Sequence, residues 1–308
     1  MEVFLSTLNQ IAFLFALILI GYFLAKRNII PKDSSMVLAK LENTVFVPAL
    51  VMGTFIKNFT VEQISSAWKL LLISFLLALV VIPIVILISR CITKDAYHRN
   101  IYTYGLAFSN FGFMGNAVVS AMFPDIFLEY IIFTLPLWVL IYLWGVPNLL
   151  IAESGEKQSI KERAKAFLNP MFVGMLIGMV IGLLRIPVPA WAMSVVDVAS
   201  SCMSPIAMLL TGITVSTISL KKTFTDKQIY AVSIIRLILI PLAFIGVAQW
   251  IPMNQTVYVC AICSLAMPLG LNTIVIPSAY GKDTSVAAGM AVISHILACI
   301  TIPLIFMI

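Results

Sequence analysis

One feature recurs from end to end of the chain: an apolar run of about twenty residues, then a short polar connection. A run of eighteen or more apolar residues is long enough to cross the hydrocarbon core of a bilayer as a helix. Lipid offers the backbone no hydrogen-bond partner, so a chain built of such runs must fold as a helix bundle. Composition agrees, because 61% of the 308 residues are hydrophobic and only 10% are charged, against roughly a quarter charged in soluble domains. No connection is long enough for a separate soluble domain. The first run carries Glu2 in place of a basic region and has no clear small-residue cleavage site. It reads as the first span and not as a secretory signal.

Ten spans are expected, near 6–25, 34–56, 67–90, 101–122, 127–151, 167–185, 190–217, 228–250, 255–279 and 284–307. The basic residues alternate between the connections. Lys26, Arg27, Lys32 and Lys40 lie at the first, Arg90, Lys94 and Arg99 at the third, and Lys157, Lys161, Arg163 and Lys165 at the fifth. Lys221, Lys222 and Lys227 lie at the seventh and Lys282 at the ninth, whereas the even connections carry only Lys57, Lys69 and Arg185. The bias puts the odd connections in the cytoplasm and both termini outside. It also accounts for the net charge of +6 without a nucleic-acid partner. The longest connection, 152–166, separates a first repeat of five spans (1–151) from a second of five (167–308). An odd number per half inserts the second half upside down, which is the arithmetic of an inverted repeat.

Two spans at equivalent places are interrupted. Span four holds Ser109-Asn110-Phe111-Gly112-Phe113-Met114-Gly115-Asn116, and span nine holds Met267-Pro268-Leu269-Gly270-Leu271-Asn272-Thr273. Broken helices in corresponding positions of two halves point to a transporter's binding site near the bilayer midplane. Two ordinary helices with tolerated glycines are the alternative. Pro48 to Gly53 in span two and Pro205 to Gly212 in span seven form a second matched pair.

In these segments the chain resembles the auxin efflux carrier family, in its bacterial branch of presumed organic-acid permeases of the malate/malonate type. The resemblance runs over nearly the whole chain. It is carried by Gly21 to Arg27, Phe46-Val47-Pro48-Ala49-Leu50, Asn110-Phe111-Gly112-Phe113-Met114-Gly115, Asn169-Pro170 with Gly174, Gly178 and Ile186-Pro187-Val188-Pro189, Arg236 to Pro241, and Met267-Pro268 with Asn272-Thr273 and Tyr280-Gly281. It implies a fold like that of bile-acid/sodium symporters, with a scaffold domain, a transport domain and spans four and nine crossing as broken helices. It further implies sodium-independent transport and a homodimer through the scaffold. Asn116-Ala117 stands where many members have a proline, and His295 stands where a small or hydroxyl residue is more usual.

Asn110, Asn116, Asn272 and Thr273 can satisfy or cap the backbone groups freed at a break. Half-helix N-termini also attract an anion. Gly112, Gly115 and Gly270, with Pro268, would allow close backbone approach. Arg236 lies roughly 12 Å deep at 1.5 Å per residue. An intramembrane arginine is a candidate counter-charge, and snorkelling or a bond to a carbonyl is the alternative. Asp197, about seven residues into span seven, reads as the acidic residue well inside a span, able to carry a proton or help bind a cation. A water-facing outer cavity is its plainer reading. His295 is more simply a hydrogen-bonded structural residue than a proton relay. Asn43, Thr44, Ser109 and Gln249 line a cavity or bond between helices. Cys260 and Cys263 form a C-x-x-C inside an apolar run and read as small apolar residues.

The expected activity is secondary transport of a small organic anion by alternating access, with no cofactor and with H+ or Na+ as conceivable coupling ions. The setting is a plasma membrane. A small-ligand receptor that moves nothing is the rival reading, and it would need a signalling segment. A membrane enzyme would need clustered catalytic groups, and the sequence shows no such set.

Overall fold

The computed structural model describes residues 2–31, 33–151, 170–217 and 219–307. The connection 152–166 and Asn169 therefore lie outside the described residues. With no water to bond the main chain, the described residues fold as helices. They are α1 (Glu2–Lys26), α2 (Ser34–Asn58), α3 (Val61–Ile92), α4 (Ala96–Ala107), α5 (Asn116–Met122) and α6 (Phe127–Ile151). After the long connection follow α7 (Pro170–Leu184), α8 (Ala190–Thr217), α9 (Lys227–Ala248), α10 (Gln255–Leu265), α11 (Asn272–Ala279) and α12 (Ser285–Ile305). Six of the described helices are long and apolar enough to cross a membrane: α2, α3 over Ala67–Ile92, α6, α8, α9 and α12.

The polar connections supply the starts. Thr60, Asp95, Asp226 and Asn254 each accept a backbone N–H two or three residues on, capping α3, α4, α9 and α10. Exposed Leu72, Phe75, Leu76, Leu79 and Val80 turn one side of α3 outward, as a lipid-facing helix requires. Wider π-helical turns interrupt α2 at Glu42–Phe46 and α9 at Ile235–Leu239, and form the end of α6 at Ile141–Ile151.

The helices pack in two groups. In one, α1 lies along α8, and α2 lies along α7 and α8. Small residues let these backbones touch: a Cβ on Gly212 would stand 1.9 Å from Ile18 O, and one on Gly21 would stand 2.2 Å from Leu209 O. Gly174, Gly178 and Gly182, one turn apart on α7, face the carbonyls of Pro48, Met52 and Phe55 on α2. In the other group, α3 packs on α4 and α6, α9 on α12, and α10 on α6 and α9. Each group draws helices from both sides of the 152–166 connection.

Candidate functional site: a crossing of two broken helices

The interruptions read from the sequence are breaks in the structure. Helix α4 ends at Ala107, and a π-turn over Phe111–Gly115 leads into α5. Helix α10 ends at Leu265, and α11 begins at Asn272. Pro268 has no N–H to continue α10, and Asn110 is of a type that competes with helical bonding. The two extended pieces run antiparallel through a bridge between Ser109 and Leu269. Asn110 N–H donates to Pro268 O at 2.8 Å, and Ser109 Oγ donates to Ser264 O at 2.6 Å. A Cβ on Gly270 would stand 2.8 Å from Phe108 O, so glycine permits the close approach of these backbones.

Arg236, on the π-turn of α9, fastens the crossing. Its Nη1 donates to Leu106 O at 2.8 Å, its Nη2 to Ser264 O at 3.0 Å and its Nε to Met267 O at 3.3 Å. These carbonyls lie at the C-terminal ends of α4 and α10, where a helix leaves unpaired acceptors and partial negative charge. The side chain is 1% exposed. The donors of Arg236 thus go to main-chain carbonyls of both broken helices.

Beyond the crossing, Asn110 O accepts from the N–H groups of Met114 and Gly115, both at 3.0 Å, and so starts the second half. The N-terminal ends of both second halves meet at a cavity of about 10 Å³, lined among others by Tyr104, Asn110, Gly112, Trp138, Gly270 and Asn272. That is room for about one water. Asn272 Nδ2 donates to the Tyr104 hydroxyl at 3.0 Å, and Asn110 Nδ2 lies 3.2 Å from His295 Nε2. The Oδ1 atoms of both asparagines are buried without a partner.

The structure therefore brings together Asn110, Gly112, Gly270 and Asn272, with Pro268 contributing its carbonyl. The other candidates for substrate or coupling do not line the cavity. Asn116 is half-buried at the start of α5 and does not line the cavity. Thr273 Oγ1 donates back to Gly270 O at 2.8 Å, a local bond. Gly115 makes room for Tyr130, whose hydroxyl would lie 2.2 Å from a Cβ there and donates to Phe111 O at 3.1 Å. Asn43 Nδ2 donates to Ala39 O and to Val275 O, both at 2.9 Å, and so joins α2 to α11. His295 bonds Ala291 O and Asn110 and does not reach the cavity itself. Asp197 pairs with Lys57 at 2.6 Å, both side chains about half exposed. A solvated ion pair between the end of one helix and the first turns of another is a surface feature.

Asp197 is half exposed within its helix, and among the described residues the fully buried acidic side chain is that of Glu42. Its side chain is 0% exposed within α2, and neither carboxyl oxygen has a hydrogen-bond partner. In the sequence, Glu42-Asn43-Thr44 stands just after Lys40-Leu41 and resembles a polar helix flank. Tyr104 and Trp138 were also missed as cavity walls. Tyr104 stands one turn before the break, a position that could have drawn attention. Cys260 and Cys263 are buried free thiols on α10.

Comparison with known proteins agrees with this architecture. A family model described as "Membrane transport protein" matches residues 6–306. A protein of Methanothermobacter thermautotrophicus described as an uncharacterized transporter is 22% identical over 314 residues, covering 98% of each chain. Apolar spanning helices, a fastened crossing of broken helices and a match over nearly all residues lead to one conclusion: the chain belongs to the membrane transport protein family of the auxin efflux carriers, and it is a multi-pass membrane transporter.

Proposed function

We propose that the protein carries a small organic anion across a plasma membrane by alternating access at this crossing. The observation that carries the reading is the small cavity of about 10 Å³ between the two breaks, lined by Asn110 and Asn272. Helix N-terminal ends converge there from both second halves, a setting that favours negative charge. The cavity is too small for any organic acid, so a substrate enters only when the two helix groups move. The α1, α2, α7, α8 group would be the scaffold, and the group holding the crossing would be the moving body. Ten crossings in two inverted sets of five, with the termini outside, follow from the basic-residue alternation. On that orientation a second cavity, of about 540 Å³ and lined by His98, Tyr102, Thr217, Asp226, Gln228 and Asp283, opens to the cytoplasm. It reaches α4 at Tyr102, two residues before the cavity wall at Tyr104, and would be an inner vestibule.

Thermal stability of the purified protein with small carboxylates and indole acids, each with and without sodium, tests the reading. A ligand that binds only the folded state stabilises it by RT ln(1 + [L]/Kd). A shift with one acid, lost in Asn110→Ala, supports the crossing as the site. Sodium is expected to be dispensable. A shift that required it would overturn that part, and an acid that shifted Asn110→Ala as much as wild type would move the site elsewhere.

A further inference from the structure

The two unpartnered amide oxygens do not have equal freedom. Asn272 Nδ2 faces the Tyr104 hydroxyl, and a hydroxyl either donates or accepts, so this bond does not choose which edge of the amide faces the cavity. The bond of Asn110 does choose. His295 Nδ1 lies 2.8 Å from Ala291 O, which can only accept. In the neutral ring Nδ1 therefore carries the hydrogen, and Nε2 presents its lone pair. The atom of Asn110 that meets Nε2 at 3.2 Å must then be a donor, Nδ2. The opposite edge of the amide is left to the cavity, and that edge is an oxygen, buried and unpartnered.

The chain of constraint runs from a carbonyl of α12, through one imidazole, to the polarity of the crossing. We infer that His295 is a positioning residue that fixes Asn110 as a hydrogen-bond acceptor, and so selects acids that bear a donor hydroxyl beside the carboxylate. The inference rests on the crossing being the substrate site. Helix N-terminal ends take the carboxylate, and Asn110 Oδ1 takes the hydroxyl hydrogen. An acid without that hydroxyl leaves the oxygen buried and unpaired, and a site built around such a bond rejects the analogue that lacks it. Leucine at position 295 would free the amide to turn over and present its NH2 edge instead. Glutamine has an acceptor of its own and can keep the lock.

The experiment measures binding of matched pairs to purified protein by thermal shift and calorimetry: malate with succinate, and lactate with propionate. Wild type is expected to favour the hydroxy member about tenfold to a hundredfold. His295→Leu is expected to bring the ratio to about threefold or less, a loss of roughly one hydrogen bond's discrimination. His295→Gln is expected to restore most of it. If His295→Leu does not fold, His295→Phe replaces it: an apolar ring of similar size that likewise offers the Asn110 amide no acceptor, so the ratio should fall in the same way. Equal binding of both members by wild type, with binding lost in Asn110→Ala, would overturn the role of His295 and leave the site standing. An undiminished ratio in His295→Leu would do the same. Failure of every acid to bind wild type would remove both the site reading and this one.

Discussion

Arg236→Met exchanges a guanidinium for an apolar chain of similar reach and isolates what the charge does at the crossing. Three donations are lost, to carbonyls 2.8, 3.0 and 3.3 Å away. A hydrogen bond to a charged group contributes about 1.5–3 kcal/mol, and the 3.3 Å bond belongs at the weak end. The gross loss is then about 5–8 kcal/mol. Against it stands the release of a buried charge, which costs several kcal/mol to desolvate. The carbonyls of Leu106, Ser264 and Met267 remain in place without their donor, so the balance falls on the destabilising side. We expect a net loss of about 3 kcal/mol, the lower end for breaking a buried charged contact. Over 308 residues, at about 2.1 cal/mol/K of unfolding entropy per residue, that corresponds to a fall in Tm of about 5 °C. Arg236→Lys keeps the charge but offers one ammonium to three diverging acceptors, and should fall between. Scanning fluorimetry of the purified variants gives the Tm, and uptake into proteoliposomes gives the activity. A methionine variant within about 2 °C of wild type would refute the fastening role. If it also lost transport, Arg236 would return to the role of substrate counter-charge.

Four further outcomes are expected. Gly270→Ala puts a Cβ 2.8 Å from Phe108 O and should abolish uptake by parting the crossing, whereas Gly246→Ala, which meets nothing within 4 Å, should match wild type. Gly212→Ala should lower the Tm by several degrees, because its Cβ would meet Ile18 O at 1.9 Å and force α1 off α8; unchanged melting would contradict that contact. Glu42→Leu should raise stability by about 1–4 kcal/mol, since it removes a buried carboxyl without a partner; a lower Tm would mean that the carboxyl is bonded in a way the geometry does not show. Lys57→Ala should change stability by less than about 1 kcal/mol and leave uptake intact, as a half-exposed ion pair allows.

The sequence made the breaks legible because proline, glycine and asparagine act on their own backbone. Pro268 ends α10 whatever surrounds it, and Gly270 can be read as a place of close approach without knowing what approaches. Partners distant in sequence were not legible. Nothing near Arg236 announces the carbonyls of Leu106 and Ser264, because a main-chain acceptor has no residue type to recognise. Asp197 was read as deep by counting along its own helix, yet its surroundings depend on Lys57, 140 residues away. His295 looked like a lone histidine on an apolar helix, and its meaning comes from Asn110, 185 residues away. Periodicity and composition report local constraints well, but the tuning of a membrane site is done by contacts between spans.

The proposed motion of the crossing group against the other group would have to break the contacts that join them, and one of these is a side-chain bond. Asn43 Nδ2 donates to Val275 O at 2.9 Å, linking α2 to the second half of the broken span. The π-turn at Glu42–Phe46 places it there, with Glu42 and Asn43 both buried although adjacent in sequence. The bond exists in an arrangement whose central cavity holds only about 10 Å³, so its loss should favour a wider one. Hydrogen bonds between membrane helices average about 0.6 kcal/mol, with a maximum near 1.7 kcal/mol. At RT of about 0.59 kcal/mol this is roughly a threefold rise in the open population, and about eighteenfold at most. Asn43→Ala should therefore speed hydrogen exchange of the amides in α11 and around Phe111–Gly115 by a factor in that range. Exchange at the N-terminal turns of α3, away from the contact, should stay as it was. Uniform acceleration across the protein would mean general destabilisation. No acceleration in α11 would mean that this bond does not restrain the motion that admits substrate.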